Sequence, residues 1–423
     1  TIPNNSINLV TMTRRIVVTG LGVVTPLSHN VDDLWKRILN CESGIHQLQV
    51  VDVDLFKIKI GGDIYDWNPS EIIPPREAKR MDRFTQFAMV AGTHAVNDSG
   101  IDFEKEDPFR CGAILGSGIG GIREIETQVA VLLNRGPERV SPMTIPRLML
   151  NAAGGNLAIR YGMRGPNYGV ATACASANNA MGDALRMIQC NDADIVISGG
   201  TESAITPMGL SAFQNMKALS RRNDEPERAS RPFDKTRDGF VMGEGAGVLV
   251  FEELEHAKAR GAKIYCEVIG FGASCDAGHI THPDPEGLGA CRSMSNALND
   301  ANINADQVDY LNAHGTSTPL GDLAETKAIK NVFGDHAYKL SVSSTKSALG
   351  HSLGASGGIE LILSIMGIQD QVAPPTINLE IPDPECDLDY TPLTPKQRPI
   401  EIAMSNSFGF GGHNASIVVQ AFR

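Results

Sequence analysis

The run GVATACASANNAMGDALRMIQ, residues 169–189, decides the fold. Gly169 to Ala173 are small or β-branched, as in a buried strand, and from Ala175 onward small and aliphatic residues recur at helical spacing. Cys174 therefore stands at a strand-to-helix elbow. Unpaired N–H groups and the helix dipole favour a thiolate there, so its pKa is expected to fall from about 8.5 toward neutrality. Such a cysteine is suited to attack a carbonyl.

Outward from this elbow, apolar strands alternate with helical patterns, the signature of an α/β protein. Strands are expected at 14–19, 111–115, 194–198 and 247–252, with a helix at 84–96 that buries Phe84, Phe87, Ala88, Ala91 and Ala95. After about residue 262 the order begins again, with strands at 265–272, 308–313 and 339–345 and a hairpin from Ala403 to Gln420. Both halves open on a strand ending in Gly-x-Gly, at 20–22 and 270–272. A chain of 423 residues exceeds the roughly 250–300 at which single cores stop growing, so two halves are expected. Their bounds are 14–262, with the nucleophile, and 263–423, with two histidines, after a disordered or tag-like tail at 1–13.

The histidines are His314, in NAHGTSTPLGD, and His351, in SSTKSALGHSLGASG. Taken singly, a cysteine reads as a small buried hydrophobe, a histidine as a hydrogen-bonded structural group, and flanking glycines as turns. Together, an elbow thiol and two imidazoles beside glycines that admit a substrate form a nucleophilic set. Glu360 lies within the apolar run IELILSIMGI, residues 359–368. An unpaired carboxylate there is costly, so a cation must reach it, and Lys346 is the nearest candidate.

TACASA (172–177), NAHGTSTPLGD (312–322), SSTKSALGHSLGASG (343–357) and NSFGFGGHN (406–414), with RPFDKTRDGFVMGEGA (231–246), resemble signatures of the β-ketoacyl-acyl-carrier-protein synthases. These are condensing enzymes of fatty acid synthesis, and the likeness runs from about Arg14 to Gln420, most like the type II elongation enzymes. The resemblance implies a thiolase-like fold, duplicated α/β halves forming a five-layer αβαβα sandwich. Its central helices must be apolar all round, a demand the Cys174 helix and the 354–367 helix meet. It also implies a ping-pong acyltransferase without a cofactor. An acyl chain moves to Cys174, malonyl-carrier protein loses carbon dioxide, and the enolate is held by Nε2 of His314 and His351. The chain grows by two carbons.

Further roles follow from the same resemblance. Backbone N–H groups of Cys174 and Phe410 would form the oxyanion hole. Lys346 joins the catalytic group with Glu360 behind it, and Asp322 orders the His314 turn, unless Asp322 and Glu325 are only helix N-terminal charges. Ile119 lines the acyl pocket. Phe410 gates it; Phe408 is read first as a core residue, with a share in the gate as the alternative.

Composition restricts the remaining classes. Hydrophobic residues at 42% and charged residues at 20% are ordinary for a soluble globular protein. The longest apolar run is well short of the roughly 20 residues a membrane helix needs. Eight cysteines without a CxxC pair or metal-like spacing argue against a zinc site and a disulfide framework. A reducing compartment is expected: a bacterial cytoplasm, or a plastid or mitochondrion in a eukaryote. The net charge of −12 argues against nucleic acid.

Arg76, Lys79, Arg80 and Arg83 nevertheless recur at spacings that gather them on one helix face. They suit either solvent or an acidic partner. The resemblance supplies acyl carrier protein, adds Arg139 and Lys217 to the docking surface, and implies a homodimer; Glu138 interrupts the basic edge. GSGIGG, residues 116–121, fits GxGxxG, yet no second strand follows with an acidic ribose ligand. A CoA-dependent thiolase-type acyltransferase is the alternative, but it would need a second cysteine in NSFGFGGHN. A Cys-His hydrolase would need one histidine, and a noncatalytic chain-length partner would lack Cys174.

Overall fold

Two runs of the chain trace one path. The first is β1 (Ile16–Val24), α1 (Arg83–Ser99), β2 (Cys111–Gly116), α2 (Ala152–Tyr161), β3 (Asn167–Val170), α3 (Ser176–Gln189), β4 (Ile195–Glu202) and β5 (Gly245–Glu253). The second is β6 (Cys266–Cys275), α4 (Leu288–Ala301), β7 (Tyr310–Asn312), α5 (Pro319–Phe333), β8 (Ser341–Ser343), α6 (Ser356–Asp370), β9 (Ile402–Gly409) and β10 (His413–Ala421). This computed structural model describes residues 14–423, so the tail expected at 1–13 lies outside the described residues.

Strand order is the same in both runs, β3-β2-β4-β5-β1 and β8-β7-β9-β10-β6. In each, the second strand pairs in parallel with the third and fourth, and the fifth runs antiparallel. The halves join where β1 meets β6 antiparallel, Ile16 opposite Val268 and Val18 opposite Cys266, which makes one sheet of ten strands. β1 and β4 are buried along their whole length, which explains why they read as continuous apolar runs.

Helices fill the layers between and outside these strands. α1 packs on β1 and β5, α4 on β6 and β10, while α3 and α6 lie between the halves, α6 touching β4, β5 and β9. The result is the expected five-layer arrangement. Every residue of α6 from Ser356 to Ile368 is buried. Each aliphatic side chain so placed contributes about 1.5–3 kcal/mol, which holds the helix inside and carries Glu360 with it. α3 departs from expectation: Asn179 and Asp183 are half-buried and Arg186 is exposed, so one side of this helix stays open.

Each central helix is entered through a single 3-10 turn, Ala173–Ala175 before α3 and Leu353–Ala355 before α6. Ala173 and Leu353 adopt φ of 49° and 48°, a left-handed region that non-glycine residues rarely occupy. The strand expected through Ala173 therefore ends at Val170.

The basic segment is not one helix. A short turn spans Pro75–Ala78, and Asp82 then caps α1 through the N–H of Phe84. Arg76, Lys79 and Arg80 remain exposed. Arg83 instead turns inward, its Nη2 at 2.7 Å from Glu244 and its guanidinium over the Phe87 ring.

Candidate active site

The elbow between β3 and α3 holds Cys174 at 8% exposure. Ser176 fastens the turn: its Oγ accepts the N–H of Thr172 at 2.9 Å and donates to the carbonyl of Ala173 at 2.6 Å. His314 follows β7, and His351 follows the turn Lys346–Leu349, its own N–H donating to Val241 at 2.7 Å. Nε2 of His351 lies 3.0 Å from the sulfur, and Nδ1 lies 3.0 Å from Oγ of Ser356. The two imidazole rings stand perpendicular, 5.3 Å apart. Ligating atoms of Cys174, His314 and His351 all lie within 4.8 Å of one another. Sequence positions far apart thus converge on one point.

Such a trio could also hold a metal ion. The Lys346 ammonium lowers the pKa of both rings. Burial acts first and in the same direction, keeping His314 and His351 well below the usual imidazole range. Both are neutral. Burial also pushes the Cys174 thiol up to about 12, against Lys346 and the N–H groups of Phe410 and Cys174 that favour the thiolate. This reverses the expectation of a lowered pKa: the helix terminus is present, but loss of water outweighs it.

Behind the rings, Lys346 pairs with Glu360, both side chains buried. Burial raises Glu360 to about 7 while Lys346 draws it down. Asp322 accepts the N–H of Phe233 at 2.8 Å and of Ser317 at 3.1 Å, and faces Arg237 at 3.4 Å. It thus stands, buried, in the first turn of α5 and at the same time ties the turn after His314 to Phe233. Glu325 acts more directly, accepting the N–H of His314 at 2.8 Å and of Gly315 at 2.7 Å. Burial lifts its carboxyl to about 7.

The loop after β9 closes the other side. A side chain at Gly409 would lie 2.8 Å from the carbonyl of Thr172 and 2.9 Å from the nitrogen of Cys174, so only glycine lets the end of β9 approach the elbow. This brings the N–H of Phe410 onto the sulfur beside that of Cys174. The Phe408 ring lies 5.7 Å from His314. A cavity of about 500 Å³ opens above the sulfur, lined by Ile119, Phe213, Phe240 and Phe410, with Lys217 at its edge. Lys217 and Arg139 are exposed, as is Glu138.

One residue escaped the sequence reading. Glu202, at the end of β4, accepts the N–H groups of Gly118, Ile119 and Gly120 in the GSGIGG turn. A carboxylate already fills the place a phosphate would take in a dinucleotide loop. The usable signal was a carboxylate closing an otherwise apolar strand, which needs donors.

Two family descriptions match the chain: Beta-ketoacyl synthase, N-terminal domain, over residues 13–257, and Beta-ketoacyl synthase, C-terminal domain, over residues 265–380. The chain is 50% identical over 406 residues to a 3-oxoacyl-(acyl-carrier-protein) synthase 2 of Coxiella burnetii, covering 96% of this chain and 98% of that one. It is 48% identical to the protein of the same name from a Synechocystis species, covering 97% and 99%. Among solved structures, a Beta-ketoacyl synthase from Burkholderia phymatum superposes with a TM-score of 0.90 at 33% identity, over 97% of this chain and 100% of that one. A type II polyketide acyl-carrier protein in complex with its ketosynthase gives 0.90 at 33% identity, again over 97% and 100%. With its thiolase-like halves and these full-length likenesses, the chain belongs to the β-ketoacyl synthase family.

Proposed function

We propose that this acyltransferase condenses a Cys174-bound acyl chain with malonyl-carrier protein, releasing carbon dioxide and lengthening a fatty acyl chain by two carbons. The observation that carries this reading is the convergence of one thiol, two neutral imidazoles and two N–H groups at the base of a cavity. Cys174, protonated at rest, gives its proton to Nε2 of His351 and attacks the acyl thioester. The carrier thiolate leaves and takes that proton. In the second half-reaction the malonyl carboxylate departs as carbon dioxide, and its electron pair forms an enolate held by Nε2–H of His314 and His351. Between the half-reactions His351 changes tautomer, releasing its Nδ1 proton to solvent and taking one from solvent at Nε2, after which the Ser356 hydroxyl, which serves either direction, donates to Nδ1. The carbanion attacks the acyl-cysteine carbonyl, and the oxyanion rests on the N–H groups of Cys174 and Phe410. Collapse expels the Cys174 thiolate, which takes a proton from solvent.

Lys346 and Glu360 fix the field behind the rings, Asp322 holds the His314 turn, Ile119 lines the acyl cavity and Phe410 gates it. The boundary near residue 262 divides a nucleophile half from a histidine half. Acyl carrier protein docks on Arg76, Lys79, Arg80, Arg139 and Lys217, exposed cations on an acidic chain. A homodimer that uses the outer edge of β3 and the helix Ile122–Arg135 is supported by Ile125, Val129, Leu132 and Leu133, all exposed. The setting is cytoplasmic; among described residues no helix is long and apolar enough to cross a membrane.

The test incubates acyl- and malonyl-loaded carrier protein with wild type, Cys174→Ala and His314→Ala, and analyses products by mass. Wild type yields a β-ketoacyl product two carbons longer, and neither variant does. Elongation by Cys174→Ala would overturn the assignment.

A further inference from the structure

Glu202 is completely buried; its hydrogen bonds go to neither the thiol nor the imidazoles, and it acts on the thiol only through its charge, which raises the Cys174 pKa for every acyl donor alike. Oε1 accepts from Oγ of Ser117 at 2.9 Å and from the N–H groups of Ile119 and Gly120 at 3.2 Å. Oε2 accepts from the N–H of Gly118 at 2.7 Å and of Gly354 at 3.1 Å. Four backbone donors and one hydroxyl therefore converge on a single carboxylate. Three of those N–H groups and the hydroxyl come from the turn after β2, and the fourth from the elbow before α6.

The two glycines show how closely this carboxylate is built in. A Cβ at Gly118 would lie 2.9 Å from Oε2, and one at Gly354 would lie 2.7 Å from it and 2.3 Å from the N–H nitrogen of Gly118. The first segment carries Ile119 and the second carries Leu353, and both side chains line the cavity above Cys174. A charge-assisted acceptor with five donors is stronger than neutral contacts between the same segments would be.

We propose that Glu202 is a positioning residue for acyl-chain selection: its carboxylate pins the Ser117–Gly121 turn to the Leu353–Ala355 elbow and so holds Ile119 and Leu353 at a set separation across the acyl cavity. A rigid wall discriminates between chain lengths, whereas a loosened one accommodates them more evenly. The inference rests on the condensing activity proposed above. Loading of acyl groups on wild-type Cys174 reports on that activity, and the ratio between acyl lengths reports on Glu202.

The experiment measures kcat and KM for butyryl-, octanoyl- and hexadecanoyl-carrier protein with wild type and full-length Glu202→Gln, alongside the mass of each acyl-enzyme. An amide offers one acceptor oxygen where the carboxylate offers two, so part of the donor set is left unpaired. The spread of kcat/KM across the three donors is expected to shrink about tenfold, which a lower fraction of folded enzyme cannot produce because it scales all donors alike. Ser117→Ala removes one donor and leaves the other four, and it should shift the ratios in the same direction by about threefold. It decides the matter if Glu202→Gln does not fold. Ile119→Ala should narrow the spread likewise and be non-additive with the Glu202 change. Unchanged ratios in folded Glu202→Gln, or in Ser117→Ala if that variant alone folds, would overturn the proposal.

Discussion

Cys174 carries its proton at rest because burial pushes its thiol up to about 12, beyond what Lys346 and two nearby N–H groups recover. A base is then needed, and Nε2 of His351 is 3.0 Å away. His351→Ala should slow single-turnover acylation of Cys174 by about 10²–10⁴. Alkylation of wild-type Cys174 by iodoacetamide should climb about tenfold per pH unit from roughly pH 7 to pH 9, since the thiolate fraction keeps rising below the pKa. A plateau near neutrality would show a thiolate at rest instead. Lys346→Ala would leave Glu360 buried without its cation, at a cost of about 3–5 kcal/mol in urea unfolding. Replacing both, Lys346→Met with Glu360→Leu, should recover most of that stability while activity stays lost. Cys174, His314, His351, Lys346 and Glu360 were legible because each sits in a distinctive local pattern. The direction of the thiol shift was not, since a helix terminus can be read from neighbours in sequence while desolvation depends on what folds over it. The donors of Glu202 were hidden for the same reason, since they lie in distant turns.

Short elements show a further electrostatic joint. In the turn of helix at Leu254–Ala259, Nδ1 of His256 lies 2.6 Å from Glu252 and Nε2 lies 2.9 Å from Glu106, tying the end of β5 to the loop before β2. The hydrogen bond to Glu252 is the largest cause that raises His256 to about 9. A folded pKa above the unfolded value of about 6.5 means that this contribution is complete below that pH and is lost as pH rises through about 9. Thermal unfolding should therefore show Tm falling for wild type between those pH values and falling less for His256→Gln. Equal slopes would remove His256 from the account. At this scale the strands were readable from apolar runs, but their ends were not. β7 and β8 have only three residues each, because the backbone leaves the sheet to place the turns of His314 and Lys346. The basic stretch misled for a related reason: Asp82 starts a new helix inside it, and Arg83 leaves the surface for Glu244.

At the scale of the whole molecule, duplication places the reaction. The two elbows, with Ala173 and Leu353 in matching backbone strain, face each other across the layer of α3 and α6. The sequence showed the repeat through two similar orders of strands and helices, but not the β1–β6 seam, which pairs residues about 250 apart. The carrier surface is tested by charge reversal. Lys217→Glu and Arg80→Glu should each raise KM for acyl-carrier protein about tenfold with kcat little changed, and added salt should shrink the difference. Arg83→Glu should instead lower stability, because its partner Glu244 is buried. The convergence of thiol and imidazoles is tested most directly by peptide mapping of enzyme mixed with acyl-carrier protein alone. The account predicts a mass gain of one acyl group on the peptide bearing Cys174, discharged as a chain two carbons longer when malonyl-carrier protein is added. An acyl group on another residue, or elongation with Cys174 never acylated, would contradict it.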